Sequence, residues 1–252
     1  MDPGPLRAVS PSVSSPKDLT MKLVIGNKNY SSWSLRPWLL LRQAGIDFEE
    51  VQVRLFTGSF AAEIARYSPA GKVPVLVDGD VTVWDSLAIS EYVAERFPDK
   101  QLWPADPAER AVARAICAEM HSGFTNVRNQ LPMNVTAVLP GRGWNVAVQR
   151  EVERIAAIWD GLRKQHAARG PFLFGTFTVA DAFYAPVVSR FATYGIHLPD
   201  DREDAKAYAD FVLGLPAMQQ WIAGARQERD FLADDEPYRL APDRADAIIV
   251  TH

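Results

Sequence analysis

The sequence predicts two domains of different class, an α/β domain followed by an all-α domain. Up to about residue 98, short apolar runs bounded by turn residues alternate with segments of helical period. After Pro104 only the helical period persists. The third apolar run is opened by Pro74, which cannot donate to a ladder and so belongs at the first strand position or in a special turn.

Each element follows in order. Residues 22–26 (KLVIG) read as a first strand, closed by Gly26-Asn27 and a polar loop to residue 32. Leu35, Trp38, Leu39 and Leu41 then mark a helix that stops at Gly45, a residue suited to the position just past a helix end. Residues 48–55 alternate as a second strand, and residues 60–65 form a short helix halted at Ser68-Pro69. Residues 75–77 and the run through Val83 are joined by Asp78-Gly79-Asp80, a hairpin signal. A helix over residues 86–97 completes a β-α-β, α, β-β-α order. With a proline heading the third strand, that is the thioredoxin-like arrangement.

Turn-forming residues crowd positions 97–104 (FPDKQLWP) and mark the domain boundary. The expected division is a disordered extension over 1–20, a thioredoxin-like domain over 21–98, and a linker over 99–104. An all-helical bundle over 105–232 and an irregular tail over 233–252 follow. Within the bundle, Val112, Ile116, Met120, Phe124 and Val127 recur at helical spacing, as do Val148, Val152, Ile155, Trp159 and Leu162. Thr178-Val179-Ala180-Asp181 is a capping box that starts a further helix.

Composition narrows the class. Of 252 residues, 48 % are hydrophobic and 23 % charged, the balance of a soluble globular chain. A net charge of −4 offers no footprint for nucleic acid or an anionic membrane. No apolar run approaches the roughly 18 residues that span a bilayer. The single cysteine, Cys117, leaves no internal disulfide and no paired-cysteine redox or zinc site, which fits the reducing cytoplasm; no metal is expected. Residues 1–20 are Pro- and Ser-rich without the apolar core of a signal peptide, and a natural start at Met21 fits them equally. Asn29-Tyr30-Ser31 and Asn134-Val135-Thr136 match the glycosylation sequon, but without a secretory signal they are chance matches. Gly141-Arg142-Gly143 lacks the third glycine and the preceding strand of a dinucleotide site.

The chemistry concentrates around Pro74. A cis peptide is expected at Val73-Pro74, with the Val73 backbone facing an open cleft where a ligand backbone can pair like an added strand. Asp85 and Ser86 open the next helix, offering a hydroxyl and free N–H groups to an anion. The run VPVLVDGD followed by WDSLAIS resembles the glutathione-site signature of the glutathione transferase family. The resemblance covers residues 22 to 230. It implies that Val73 and Pro74 fix the cysteinyl backbone of glutathione, and that Asp85 and Ser86 hold its γ-glutamyl end. Lys72 lies where a cation would meet the glycyl carboxylate.

Such an enzyme makes a thiolate from a thiol of ordinary pKa about 8.5, using a donor aimed at sulfur beside a helix N-terminus. Tyr30-Ser31-Ser32-Trp33-Ser34 occupies that place. SSWSLR resembles the motif of zeta-type members, and the resemblance puts the activating residue at Ser31 or Ser32. The zeta pattern has cysteine where Trp33 stands, which removes mixed-disulfide chemistry. The second substrate is expected between the domains, against Tyr30 and Trp33, with His121, Phe124 and Arg128 on one helical face. The loop of Leu131, Pro132, Met133 and Asn134, with Trp144, is expected to close over it.

The resemblance thus implies a bacterial, serine-type cytosolic glutathione transferase that conjugates small, largely apolar electrophiles, as a homodimer. Two other readings stay open: a glutathione-dependent cis–trans isomerase resembling maleylacetoacetate isomerase, and a non-catalytic binding protein with the same fold.

Overall fold

A computed structural model describes residues 21–239. The expected extension over 1–20, and the tail beyond 239, lie outside the described residues.

The N-terminal half runs β1 (Lys22–Ile25), α1 (Ser32–Gln43), β2 (Glu49–Gln52), α2 (Phe60–Ile64), β3 (Val75–Asp78), β4 (Val81–Trp84) and α3 (Ser86–Arg96). Among the described residues these four strands form one sheet in the order β2-β1-β3-β4. β1 and β2 are parallel, and β3 is antiparallel to both β1 and β4. Gly79 turns the β3–β4 hairpin at φ 60°, a left-handed value that costs glycine little. β2 is shorter than the alternation predicts. Beyond Gln52, Arg54 and Leu55 bond to Asp230 and Asn27 instead of to a strand.

The C-terminal half consists of α4 (Pro107–Ser122), α5 (Thr125–Gln130), α6 (Val146–His166), α7 (Val179–Tyr194), α8 (Glu203–Leu213) and α9 (Pro216–Ala225). The long helix expected through Phe124 and Val127 is broken. Gly123 is extended, Phe124 is left-handed at φ 54°, and a Cβ on Gly123 would lie 2.7 Å from the Glu119 carbonyl. His121, Phe124 and Arg128 therefore do not share one helical face.

Helix α1 joins the two halves. From Leu35 to Leu41 every residue is buried, and Trp38 meets Trp221 of α9 edge to face at 5.1 Å. Leucines and a tryptophan on every face of this stretch require cover all round. The sheet and α3 cover one side, α7 and α9 the other. A small second core of Val24, Val53, Ile64 and Val75 lies under α2.

Helix α7 is the centre of the bundle, and its first turn is fixed by Asp181. The capping box closes as expected, with the carboxylate accepting from the Thr178 N–H at 2.8 Å. It also accepts from the Thr178 hydroxyl, the Leu173 N–H and the Tyr208 hydroxyl at 3.0–3.1 Å. Burial pushes this carboxyl up to about 6 against those four donors. The folded value lies above the ordinary 3.8, so the stabilisation is complete below about pH 4 and is lost as pH rises through 6. Removing the acceptor strands buried donors at about 1–3 kcal/mol each. Asp181→Ala should therefore lower unfolding free energy by at least about 3 kcal/mol, and by more at pH 5 than at pH 7. Denaturant titrations at the two pH values check both the size and the sign.

Candidate active site

Two cavities adjoin at the start of α1. One, of about 580 Å³, is lined by Ser31, Ser32, Phe56, Met133, Arg128 and Arg190, among others. The other, of about 450 Å³, is lined by Ala70, Pro74, Trp84, Asp85 and Ser86. Trp33, Lys72 and Val73 face both. The Val73–Pro74 peptide is cis, and β3 begins immediately after it.

The two serines are placed differently. Ser31 is the N-cap of α1: its oxygen accepts from the Ser34 N–H at 3.3 Å and its hydroxyl donates to Ser34 Oγ at 2.8 Å. Ser34 Oγ in turn accepts from the Gly26 N–H at 3.1 Å, which ties the helix start to the end of β1. Ser32 is the first helical residue, and its Oγ accepts from Arg190 Nη2 at 3.2 Å. Both serines are 6 % exposed.

Asp85 takes a left-handed φ of 75° and caps α3, Oδ1 accepting from the Leu87 and Ala88 N–H groups at 2.8 and 3.3 Å. Its Oδ2 lies 3.2 Å from His121 Nε2. Burial lowers the His121 pKa in opposition to Asp85, so the imidazole is neutral at pH 7. Ser86 is buried, and its Oγ accepts from Arg36 Nη1 at 3.4 Å.

Trp33, at the position of the expected zeta cysteine, stacks with two cations. The guanidinium carbons of Arg36 and Arg128 lie 4.4 and 4.7 Å from its ring centre, and the His121 ring meets it edge-on at 5.3 Å. Arg36 is 0 % exposed, and its Nε and Nη2 have no hydrogen-bond partner among the described residues. Burial and two neighbouring arginines, Arg128 and Arg190, hold its pKa well below the usual value.

The expected second-substrate residues divide. Trp33, Tyr30 and Arg128 line the larger cavity. Tyr30 turns its hydroxyl away, to the Asp230 carbonyl and Glu236 Oε1 at 3.0 and 2.5 Å; burial and that carboxylate raise its pKa. The Arg128 fork is held by the carbonyls of Gly123, Met120 and His121 at the end of α4. His121 sits behind Trp33 and pairs with Asp85 rather than facing the cavity. Phe124 is buried in the core because the backbone reverses at Gly123. Pro132 and Met133 do line the cavity, whereas Trp144 borders a separate one with Gly141 and Tyr194.

Sequence reasoning missed Arg190 and Asp235, which complete the larger cavity. The signal for Arg190 was a charge inside the otherwise apolar run AFYAPVVSRF. Asp235 belongs to a C-terminal segment clamped to the loop after β1. Glu228 accepts from the Lys28 and Asn29 N–H groups at 2.6 and 3.0 Å, and Asp230 accepts from the Asn27 side chain at 2.8 Å.

Comparisons with known proteins agree with this fold. Residues 30–96 match the glutathione S-transferase N-terminal domain, and residues 145–224 match the C-terminal domain. A probable maleylacetoacetate isomerase of Caenorhabditis elegans is 36 % identical over 163 residues, 62 % of this chain and 72 % of that protein. A zeta-class glutathione S-transferase of Euphorbia esula is 32 % identical over 161 residues, 63 % and 71 % of the two chains. Among solved structures, a glutathione transferase homolog from Burkholderia gl BGR1 with bound glutathione superposes with a TM-score of 0.62. It is 24 % identical and covers 83 % of this chain and 100 % of its own.

Cys117, on α4, is fully buried, and burial pushes its thiol well above the usual value. It should react with a disulfide reagent at least about a hundredfold more slowly in the native protein than in denaturant, as timed by thiolate release.

Proposed function

The chain belongs to the glutathione S-transferase family, and on that premise we propose that it is a glutathione transferase of the serine type. The observation that carries the reading is the convergence of the α1 N-terminus, Val73 and the Asp85–Ser86 pair on two adjoining cavities. In this reading glutathione lies across both. Its cysteinyl backbone runs beside Val73 and Pro74, and its glycyl carboxylate meets Lys72. The γ-glutamyl carboxylate takes the Ser86 end of α3, where the Ser86 N–H and hydroxyl are left as donors once Asp85 has capped Leu87 and Ala88. Asp85 accepts from the γ-glutamyl ammonium, and the sulfur reaches the start of α1. The thiolate then attacks the second substrate, forming a carbon–sulfur bond as the leaving group departs with its electron pair.

The larger cavity supports a reading of that second substrate. Trp33, Phe56, Phe60 and Met133 supply apolar and aromatic walls, while Arg128 and Arg190 add positive charge. We assign it a small apolar electrophile, with a carboxylate favoured by those two cations. The same pair keeps the isomerase reading in play, because a cis-dienoic acid carries such a carboxylate and the C. elegans relative bears that name. Among the described residues no helix is long and apolar enough to cross a membrane. We place the protein in the cytoplasm as a homodimer, with the exposed Trp84 and Val81 of β4 and Val112 of α4 as contact surface.

Calorimetric titration with glutathione, followed by a panel of electrophiles and a cis-dienoic acid, tests the reading. Absence of measurable binding would leave a fold without the activity. Asp85→Asn keeps an acceptor for the helix cap but loses the charge. It should weaken glutathione binding about 10- to 100-fold, since a hydrogen bond to a charged group contributes about 1.5–3 kcal/mol. Turnover at saturation should change little, because that contact is equal in ground and transition states. A loss confined to kcat would mean the acid is misassigned.

A further inference from the structure

Arg190 is a buried cation without a counter-ion at hand. It is 4 % exposed, and its guanidinium donates to the Leu131 carbonyl at 2.8 Å, the Pro186 carbonyl at 3.5 Å and Ser32 Oγ at 3.2 Å. Among the described residues no carboxylate lies within ion-pair distance of it. The charged and titratable groups that face it are Arg128 of α5 and Arg36 of α1, which repel it, and Tyr194 of α7 and Asp235 of the C-terminal segment, which favour its charge. Burial and Arg128 lower its pKa to about 10, so it remains charged at neutral pH. A buried charge with neutral partners is costly and calls for a reason.

The reason lies in where the fork points. Two carbonyls fix the plane, and the third bond ends on the hydroxyl at the head of α1. Ser31 spends its proton on Ser34. Ser32, by contrast, accepts from a cation, which leaves its own proton free for the cavity and makes that proton a better donor. We infer that Arg190 is a positioning residue that aims and polarises the Ser32 hydroxyl toward the sulfur of bound glutathione, so that Ser32 rather than Ser31 stabilises the thiolate. The step is an ionisation: the thiol proton leaves to water, and the Ser32 O–H donates to the sulfur anion without being transferred. The inference rests on the proposed glutathione site, with Arg190 reaching across from the helical domain.

The test is the pH titration of thiolate ultraviolet absorbance in the glutathione complex, beside calorimetric affinity. Ser32→Ala should raise the thiol midpoint by about one to two pH units while affinity stays within about threefold. Ser32→Thr should restore the low midpoint, and Ser31→Ala should leave it in place and cost only thermal stability. Arg190→Met should raise the midpoint as Ser32→Ala does, and the double variant should go no further than Ser32→Ala alone. An unmoved midpoint in Ser32→Ala overturns the inference, as does an additive shift in the double variant. If Arg190→Met does not fold, the serine variants decide alone. Failure of the wild type to bind glutathione would instead sink the functional reading.

Discussion

Burial of α1 on every side is the constraint on which the molecule depends. Nine of its residues, from Ser32 to Leu41, are withdrawn from water, and they include Arg36 as well as the leucines. A surface helix has a wet face on which to place polar groups; over this stretch only Trp33 is exposed. Its N-terminus must therefore find partners for its free N–H groups within the protein: Ser31 Oγ accepts from the Ser34 N–H, and the Ser34 hydroxyl ties the helix start to Gly26 at the end of β1. The outcome is a helix end with its partial positive charge fixed at the seam between two domains. A thiolate site needs that arrangement, and here it follows from packing.

Buried charge is handled in opposite ways inside the helical bundle and at the seam. Asp181 sits in the bundle with four donors on its oxygens, a satisfied structural carboxylate. Arg36, Arg128 and Arg190 gather near Trp33 and Ser32, with carbonyls, hydroxyls and aromatic faces as partners. The first arrangement holds a helix in place. The second maintains a positive field that a bound anion would relieve.

What was legible in the sequence is the chemistry that resides in short, local backbone patterns. The hairpin, the proline at the head of β3, the serines at a helix start and the Asp-Ser cap of α3 each depend on neighbours within a few residues. The β-α-β, α, β-β-α order was legible for the same reason. The break at Gly123 was not, because the apolar spacing of Ile116, Met120, Phe124 and Val127 continues through it. Tertiary packing of α5 against α6 redirects the chain there. Arg190 stood 158 positions from the serine it bonds, and no periodicity reports a pairing at that range. Tyr30 stood beside the serines, and nothing local announced that Glu236 would claim its hydroxyl.

That last contact alters how the C-terminal end of the described chain should be regarded. Residues 228–236 hold the backbone of Lys28 and Asn29, the Asn27 side chain and the Tyr30 hydroxyl, all within the loop that leads into Ser31. Chain ends are commonly treated as free ground for trimming or fusion. Here the segment acts as a brace for the opposite end of the molecule. Protein engineers who attach a reporter or surface anchor upstream of Arg239 would be editing the loop before α1 from about two hundred residues away.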